Sequence, residues 1–121
     1  MPKLLIIEDE PVLREMYAQI FIEQGINVVL AESAEEGLLV AEQEMPDLII
    51  LDILLPKASG IEMLQQLRDN PQTAAIKVVA FSNYDDKIAK DKAAELKALD
   101  YLIKTDYTPQ EITEKIKNYL L

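Results

Sequence analysis

Five polar side chains in the sequence are of types that handle metal ions and phosphate, and each follows a short apolar run. They are Glu8, Asp9, Asp52, Ser82 and Lys104. Carboxylates bind hard divalent cations, a lysine can hold a phosphoryl oxygen as a point charge, and a hydroxyl can hydrogen-bond to it. Together they predict a phosphoryl-transfer site, where catalysis consists mostly of positioning and charge neutralisation.

These side chains meet only if the apolar runs are neighbouring parallel strands. The runs are Leu4–Ile7, Val28–Ala31, Leu48–Leu51, Val78–Phe81 and Tyr101–Ile103. Longer amphipathic stretches separate them, and such alternation predicts an α/β fold with a doubly wound, five-stranded parallel sheet. Ligands bind such sheets beyond the carboxyl ends of the strands. The second run ends in Ala31-Glu32 and offers little there.

The sequence also marks where the helices begin and end. Pro11 suits a first helical position, and Gly25 suits a left-handed helix exit. Capping boxes are predicted at three helix starts: Ser33 with Glu36, Ser59 with Glu62, and Thr108 with Glu111 behind Pro109. Apolar stripes predict the core-facing sides of the first and last helices: Leu13, Met16 and Ile20, and Ile112, Ile116 and Leu120.

Composition excludes several classes of function. The chain has no Cys and no His, so disulfides, thiolate chemistry and a Ser-His-Asp arrangement are excluded. Any metal site must therefore use oxygen ligands, which favours Mg²⁺, Mn²⁺ or Ca²⁺. A net charge of −10 argues against direct binding to nucleic acid, which needs clustered basic residues.

Length and hydropathy indicate one ordinary domain. The 121 residues fit a single domain spanning 1–121, and half of them are hydrophobic. The apolar runs are far shorter than the ~20 residues needed to cross a bilayer. Acids follow the first run at once, so it does not resemble a signal peptide. We therefore expect a cytoplasmic protein with no membrane contact.

Each candidate residue also has a simpler structural interpretation. Glu8 and Asp9 could favour a helix start, and Asp52 could belong to a turn. Ser82 could cap a helix beginning near Asp85, while Lys104 could be an ordinary surface lysine. Four strand ends with complementary phosphate chemistry favour the shared site over these separate roles.

Over its whole length the chain resembles the receiver domains of two-component response regulators, in particular the single-domain, chemotaxis-regulator-like type. The resemblance is carried by Leu5–Glu10, Pro46–Asp52, Leu55-Pro56, Gly60, Ser82 and Tyr101–Lys104. It implies a flavodoxin-like (βα)5 fold with strand order 2-1-3-4-5. It also implies a signalling domain, not an enzyme acting on other substrates.

The resemblance implies a role for each acid. Asp52 resembles the phosphoacceptor, which takes a phosphoryl group from a phosphohistidine. Glu8 and Asp9 resemble the acidic pair that holds Mg²⁺. Asp52 and the backbone carbonyl of Leu54 would complete the protein ligands of that ion. The implied donor of the phosphoryl group is a sensor histidine kinase or a histidine phosphotransfer protein.

The remaining matched residues imply contact with phosphate and a conformational switch. Lys104 resembles the lysine that contacts the phosphoryl group, and Ser82 resembles the switch hydroxyl. Tyr101 resembles the aromatic residue that turns inward with that hydroxyl. The switch would change the surface of helix four, strand five and helix five for a downstream protein. A monomer, or a dimer formed on phosphorylation, is implied.

The sequence departs from the family pattern at two positions beside that surface. Thr105 replaces the usual proline after the lysine, so a trans bond or a strained turn is expected. Lys97 replaces a common glycine after helix four, which predicts a remodelled turn. Bulky Leu54 and Tyr84, each two residues past a site residue, flank the expected path of attacking water. They predict slow hydrolysis of the phosphoaspartate.

Three other functions compete with this interpretation. A Mg²⁺-dependent phosphatase would want a second acid behind its nucleophile, but Ile53, Leu54 and Leu55 follow Asp52. A flavodoxin-like cofactor binder would want a Ser/Thr/Gly-rich loop after the first strand, where Glu8-Asp9-Glu10 stands. A receiver-like binding module that acts without phosphorylation also stays open.

Overall fold

The computed structural model describes residues 2–55 and 59–120, and within them strands and helices alternate. The strands are β1 (Lys3–Ile7), β2 (Asn27–Ala31), β3 (Leu48–Asp52), β4 (Lys77–Ser82) and β5 (Asp100–Ile103). The helices are α1 (Pro11–Glu23), α2 (Ala34–Glu44), α3 (Gly60–Asp69), α4 (Lys87–Glu95) and α5 (Pro109–Leu120). A short 3₁₀ turn (Lys104–Asp106) follows β5. Pro56, part of the sequence pattern above, lies outside the described residues.

The five strands form one parallel sheet in the order β2-β1-β3-β4-β5. This confirms the α/β, doubly wound, five-stranded parallel sheet. The pairing aligns Asp52 with Phe81 and Ser82 with Ile103. The carboxyl ends of β1, β3, β4 and β5 therefore share one edge of the sheet.

Alternating residues of the central strands supply two separate cores. One face packs against α2, α3 and α4, and the other packs against α1 and α5. β3 is buried along its whole length, because helices cover both of its faces. Among the described residues, no helix combines the length and the hydropathy of a membrane-spanning segment.

The helix ends follow the predicted chemistry, with one correction in α1. Thr108 and Glu111 form a complete, reciprocal capping box, whereas the serines before α2 and α3 show only the serine half.

The deepest side chains of α1 are Tyr17, Ala18 and Phe21. The stripe predicted for α1 (Leu13, Met16 and Ile20) is half-buried, and Leu13 and Met16 pack against the core, but the most buried face lies about one residue further along the helix.

The two departures beside α4 and β5 leave the fold unchanged. The bond before Thr105 is trans, like every peptide bond in the described residues. The expectation of a remodelled turn at Lys97 was wrong, since Lys97 itself takes the left-handed conformation with φ 68°. The N–H groups of Lys97 and Ala98 donate to the carbonyls of Ala94 and Ala93, which closes α4 in a Schellman turn.

Candidate functional site

Three carboxylates meet at the carboxyl edge of the sheet. Glu8, Asp9 and Asp52 each offer an oxygen within 4.8 Å of the others. Glu8 is 4% exposed and Asp52 is 5% exposed, while Asp9 is half-buried. Two like charges 4 Å apart repel by about 1 kcal/mol in water and about 4 kcal/mol at an effective dielectric near 20. The cluster therefore needs a cation.

Lys104 supplies one positive charge to this cluster. Its Nζ lies 2.6 Å from Oε1 of Glu8 and 3.0 Å from Oδ2 of Asp52. Burial alone would lower the pKa of Lys104, but the bonds and charges of these two acids outweigh it and raise the pKa. Burial, reinforced by Asp52 and opposed by Lys104, raises the pKa of Glu8. The site therefore stabilises the charged lysine.

Backbone groups orient the two buried acids. The N–H of Leu54 donates to Oδ1 of Asp52 at 3.0 Å, and the N–H of Glu10 donates to Oε2 of Glu8 at 3.3 Å. Gly60 begins α3 directly against Asp52, with its N–H donating to the carbonyl of Ile53. A Cβ at Gly60 would collide with the carbonyl oxygen of Asp52, so only glycine allows this approach.

Ser82 lies at the same edge but is not part of the ion-pair cluster. Its side chain is buried, and its Oγ accepts a hydrogen bond from the N–H of Tyr84 at 3.1 Å. Among the described residues it makes no hydrogen bond with Asp52 or Lys104. The cap of α4 is Asp86, so the alternative role of Ser82 as a helix cap is wrong. The Ser82 hydroxyl therefore hydrogen-bonds within its own loop.

Tyr101 is half-buried on β5 beside the same loop. Its hydroxyl donates to the carbonyl of Tyr84 at 3.5 Å, which is long for an O–H donor. Ser82 and Tyr101 therefore both contact Tyr84, which is 67% exposed. The two residues expected to switch together share one backbone neighbour.

Arg14 is a residue of the site that the sequence analysis did not select. Its guanidinium donates to the carbonyls of Glu8 and Asp9 from the second turn of α1. In the sequence this arginine resembles any polar residue of an amphipathic helix. Its contacts with the acidic turn depend on how α1 folds back over the end of β1.

The donor set fits a hard divalent cation. The three clustered side chains offer carboxylate oxygens only, which suit Mg²⁺ or Ca²⁺ and not the metals that prefer nitrogen or sulfur. Proteins usually bind Mg²⁺ through a few carboxylates, and water fills the remaining positions. The described residues thus provide an acidic cluster that could hold a metal.

Comparisons with known proteins agree with this geometry. The model of the response regulator receiver domain matches residues 4–117. The alkaline phosphatase synthesis transcriptional regulatory protein PhoP of Bacillus subtilis is 35% identical over 98% of this chain and 48% of its own length. This chain spans about half the length of the curated relatives it matches.

Two solved structures share the fold and a quarter or more of the sequence. A CheY-like response regulator receiver domain protein from Methanospirillum hungatei has a TM-score of 0.91 and 28% identity, covering 99% of this chain and 94% of that one. The BeF₃-activated N-terminal receiver domain of RstA from Klebsiella pneumoniae has a TM-score of 0.85 and 26% identity, covering 98% and 97%. The chain belongs to the receiver domain family of two-component response regulators.

Proposed function

We propose that this receiver domain is a phosphoacceptor that takes a phosphoryl group on Asp52 and passes the signal on by protein contact. The main support is that the ammonium of Lys104 bridges Asp52 and Glu8 within a buried acidic cluster, since a phosphoryl oxygen on Asp52 would need a cation close by. The donor would be a phosphohistidine on a sensor histidine kinase or a histidine phosphotransfer protein.

The transfer uses groups whose positions are described above. A carboxylate oxygen of Asp52 attacks phosphorus, the P–N bond breaks, and its electron pair returns to the imidazole, which takes up a proton. Lys104 holds a phosphoryl oxygen, since its Nζ already contacts Oδ2 of Asp52. The N–H of Leu54 hydrogen-bonds to Oδ1 of Asp52, so the orientation of the carboxylate is fixed before the reaction.

Mg²⁺ would be held by the carboxylates of Glu8, Asp9 and Asp52 and by the backbone carbonyl of Leu54. When bound, it would offset the mutual repulsion of the acids and neutralise charge on the phosphoryl oxygens. Glu8 and Asp52 are the buried members of the set, so their charges gain most from a second cation.

We further propose that Ser82 and Tyr101 move when the phosphoryl group is present and thereby change the surface of α4, β5 and α5. Ser82 would leave Tyr84 to bind a phosphoryl oxygen, and Tyr101 would leave its long contact with the same residue. Beryllofluoride, the activator named for the RstA receiver domain, is a suitable probe. Its addition should shift the NMR signals of Tyr101 in the native protein and much less in Ser82→Ala. Equal shifts in both would exclude the coupling.

Intact mass after incubation with acetyl phosphate and Mg²⁺ tests the phosphoacceptor. One added phosphoryl group is expected in the native protein and in Asp69→Asn, which changes an exposed aspartate at the end of α3. The adduct should be absent in Asp52→Asn and in a sample treated with EDTA. If the folded native protein gains no mass under any condition, phosphorylation is excluded. The unphosphorylated binding module would then replace this proposal.

A further inference from the structure

The guanidinium of Arg14 clamps the turn that carries the two N-terminal acids. Its Nη1 lies 2.9 Å from the carbonyl oxygen of Glu8 and 3.3 Å from that of Asp9. Nη2 lies 3.5 Å from Oε2 of Glu32, just past the end of β2. The Arg14 side chain is only 14% exposed, so these contacts are largely shielded from water.

Arg14 therefore touches the backbone of both acids and neither of their carboxylates. In the described structure its partners around this turn are two carbonyls and Glu32. The turn is also held from the other side, because the N–H of Glu8 donates to the carbonyl of Ala31 at 3.1 Å. These contacts fix the backbone of the turn, so the turn itself cannot move outward to relieve the mutual repulsion of the acids.

We propose that Arg14 is a positioning residue for the metal site, which holds Glu8 and Asp9 towards Asp52 before any cation binds. The inference rests on the proposed function, since it assigns Arg14 to the Mg²⁺ site of that proposal. A planar guanidinium can donate to both carbonyls from one nitrogen and still reach Glu32 with the other. A lysine ammonium keeps the charge but cannot reproduce that fork.

The contacts of Arg14 should contribute unequally to Mg²⁺ affinity. Glu32 is 64% exposed in its side chain, so its ion pair with Arg14 is weakened by solvent and adds little. The two carbonyl bonds are the important ones, because they fix the peptide groups from which the acids project. Glu32→Gln should therefore change Mg²⁺ affinity far less than Arg14→Gln, which removes the whole fork.

Calorimetric titration of the unphosphorylated protein with Mg²⁺ tests this role without any activity measurement. Loss of an outer partner typically weakens metal binding by about 10- to 100-fold, and we expect about tenfold weaker binding in Arg14→Gln. Arg14→Lys should recover part of that loss. The Mg²⁺ concentration that gives half-maximal phosphorylation by acetyl phosphate should rise by the same factor as the dissociation constant.

Arg68→Gln is the matched control, because Arg68 also donates to backbone carbonyls but near the end of α4, among Ala74, Ile76 and Leu96. This control should lower thermal stability in EDTA without weakening Mg²⁺ binding.

Equal Mg²⁺ affinity in native protein and folded Arg14→Gln would overturn the inference and leave the metal site intact. Should Arg14→Gln fail to fold, Arg14→Lys must still bind Mg²⁺ more weakly than native protein. A native protein that binds no Mg²⁺ would overturn the metal site itself and this inference with it.

Discussion

Nζ of Lys104 lies 2.6 Å from Oε1 of Glu8, a residue 96 positions away in the sequence. The same nitrogen lies 3.0 Å from Asp52, so one ammonium pairs with two buried acids and leaves part of their negative charge unbalanced. Because Mg²⁺ would use those same carboxylates, lysine and metal would compete for them. Removal of the Lys104 charge should therefore strengthen Mg²⁺ binding and slow phosphoryl uptake.

Replacement of Lys104 by methionine should tighten Mg²⁺ binding while it slows phosphorylation on Asp52. The change removes the competing cation but also the contact for a phosphoryl oxygen. Without metal, the variant should lose about 3 kcal/mol of unfolding free energy, because breaking a buried pair leaves a charge uncompensated. Calorimetric Mg²⁺ titration measures the metal affinity, intact mass over time measures the phosphorylation rate, and chemical denaturation with and without Mg²⁺ measures the stability. Lys3→Met, which breaks a more exposed pair with Glu44, should leave Mg²⁺ affinity unchanged.

Substitution of Gly60 by alanine should impair the site and the fold together. The added Cβ would collide with the carbonyl oxygen of Asp52 and lie 2.7 Å from the Cα of Ile53. Backbone has to move, so we expect a loss of about 1–3 kcal/mol of unfolding free energy. Denaturant unfolding measures that loss, and intact mass measures phosphorylation. Gly25→Ala is the comparison, since its Cβ would meet no atom within 4 Å and only its φ of 81° opposes the change.

Lys97 offers a substitution that should stabilise the protein. Its φ of 68° is unfavourable for a side chain with a Cβ, and glycine has no such penalty. The freer unfolded chain of glycine offsets part of the gain, so Lys97→Gly should add about 0.5–1 kcal/mol. Thermal unfolding measures the change. A lower melting temperature would mean that the lysine side chain contributes more than its backbone costs.

The phosphoaspartate should hydrolyse slowly, because bulky residues occupy the positions two residues past Asp52 and Ser82. Leu54 is 52% exposed and Tyr84 is 67% exposed, each in a loop adjoining the site. Replacing both with asparagine should speed the loss of the phosphoryl group by opening a path for water and offering it hydrogen bonds. The decay of the phosphorylated mass over time measures the rate. An unchanged rate in the double variant would contradict this account, and Val12→Asn is a suitable control at another exposed apolar residue.

The hydroxyl of Tyr119 gives the fold a dependence on alkaline pH. It donates to Oδ2 of Asp100 at 2.8 Å, tying α5 to the start of β5. Burial, with the bond to Asp100, raises the pKa of Tyr119 to about 12. Because the folded-state pKa lies above the ordinary value near 10, this bond stabilises the protein fully below pH ~10 and is lost as pH rises towards ~12. Tyr119→Phe should reduce the tyrosinate absorbance that develops near pH 12 and weaken the stability loss in that interval.

The sequence by itself determined the order of elements and the chemistry at their ends. The continuously apolar β3 run indicated a strand covered on both faces, and Asp52 stood directly behind it. The pair Thr108 and Glu111 encoded a helix start within four residues, so its capping box could be predicted from local spacing alone. Such features depend on neighbours along the chain, which the sequence displays directly.

Only the tertiary structure decided which partners these residues have. Lys104 pairs with Glu8 more closely than with Asp52, and Arg14 reaches the carbonyls behind the acids. Both contacts depend on strand register and on how a helix folds back over a strand end, which no local spacing specifies. The left-handed turn at Lys97 also lies beside a long-range contact, since Arg68 donates to the carbonyl of Leu96. Only the tertiary structure shows this contact next to a conformation that the local residue type disfavours.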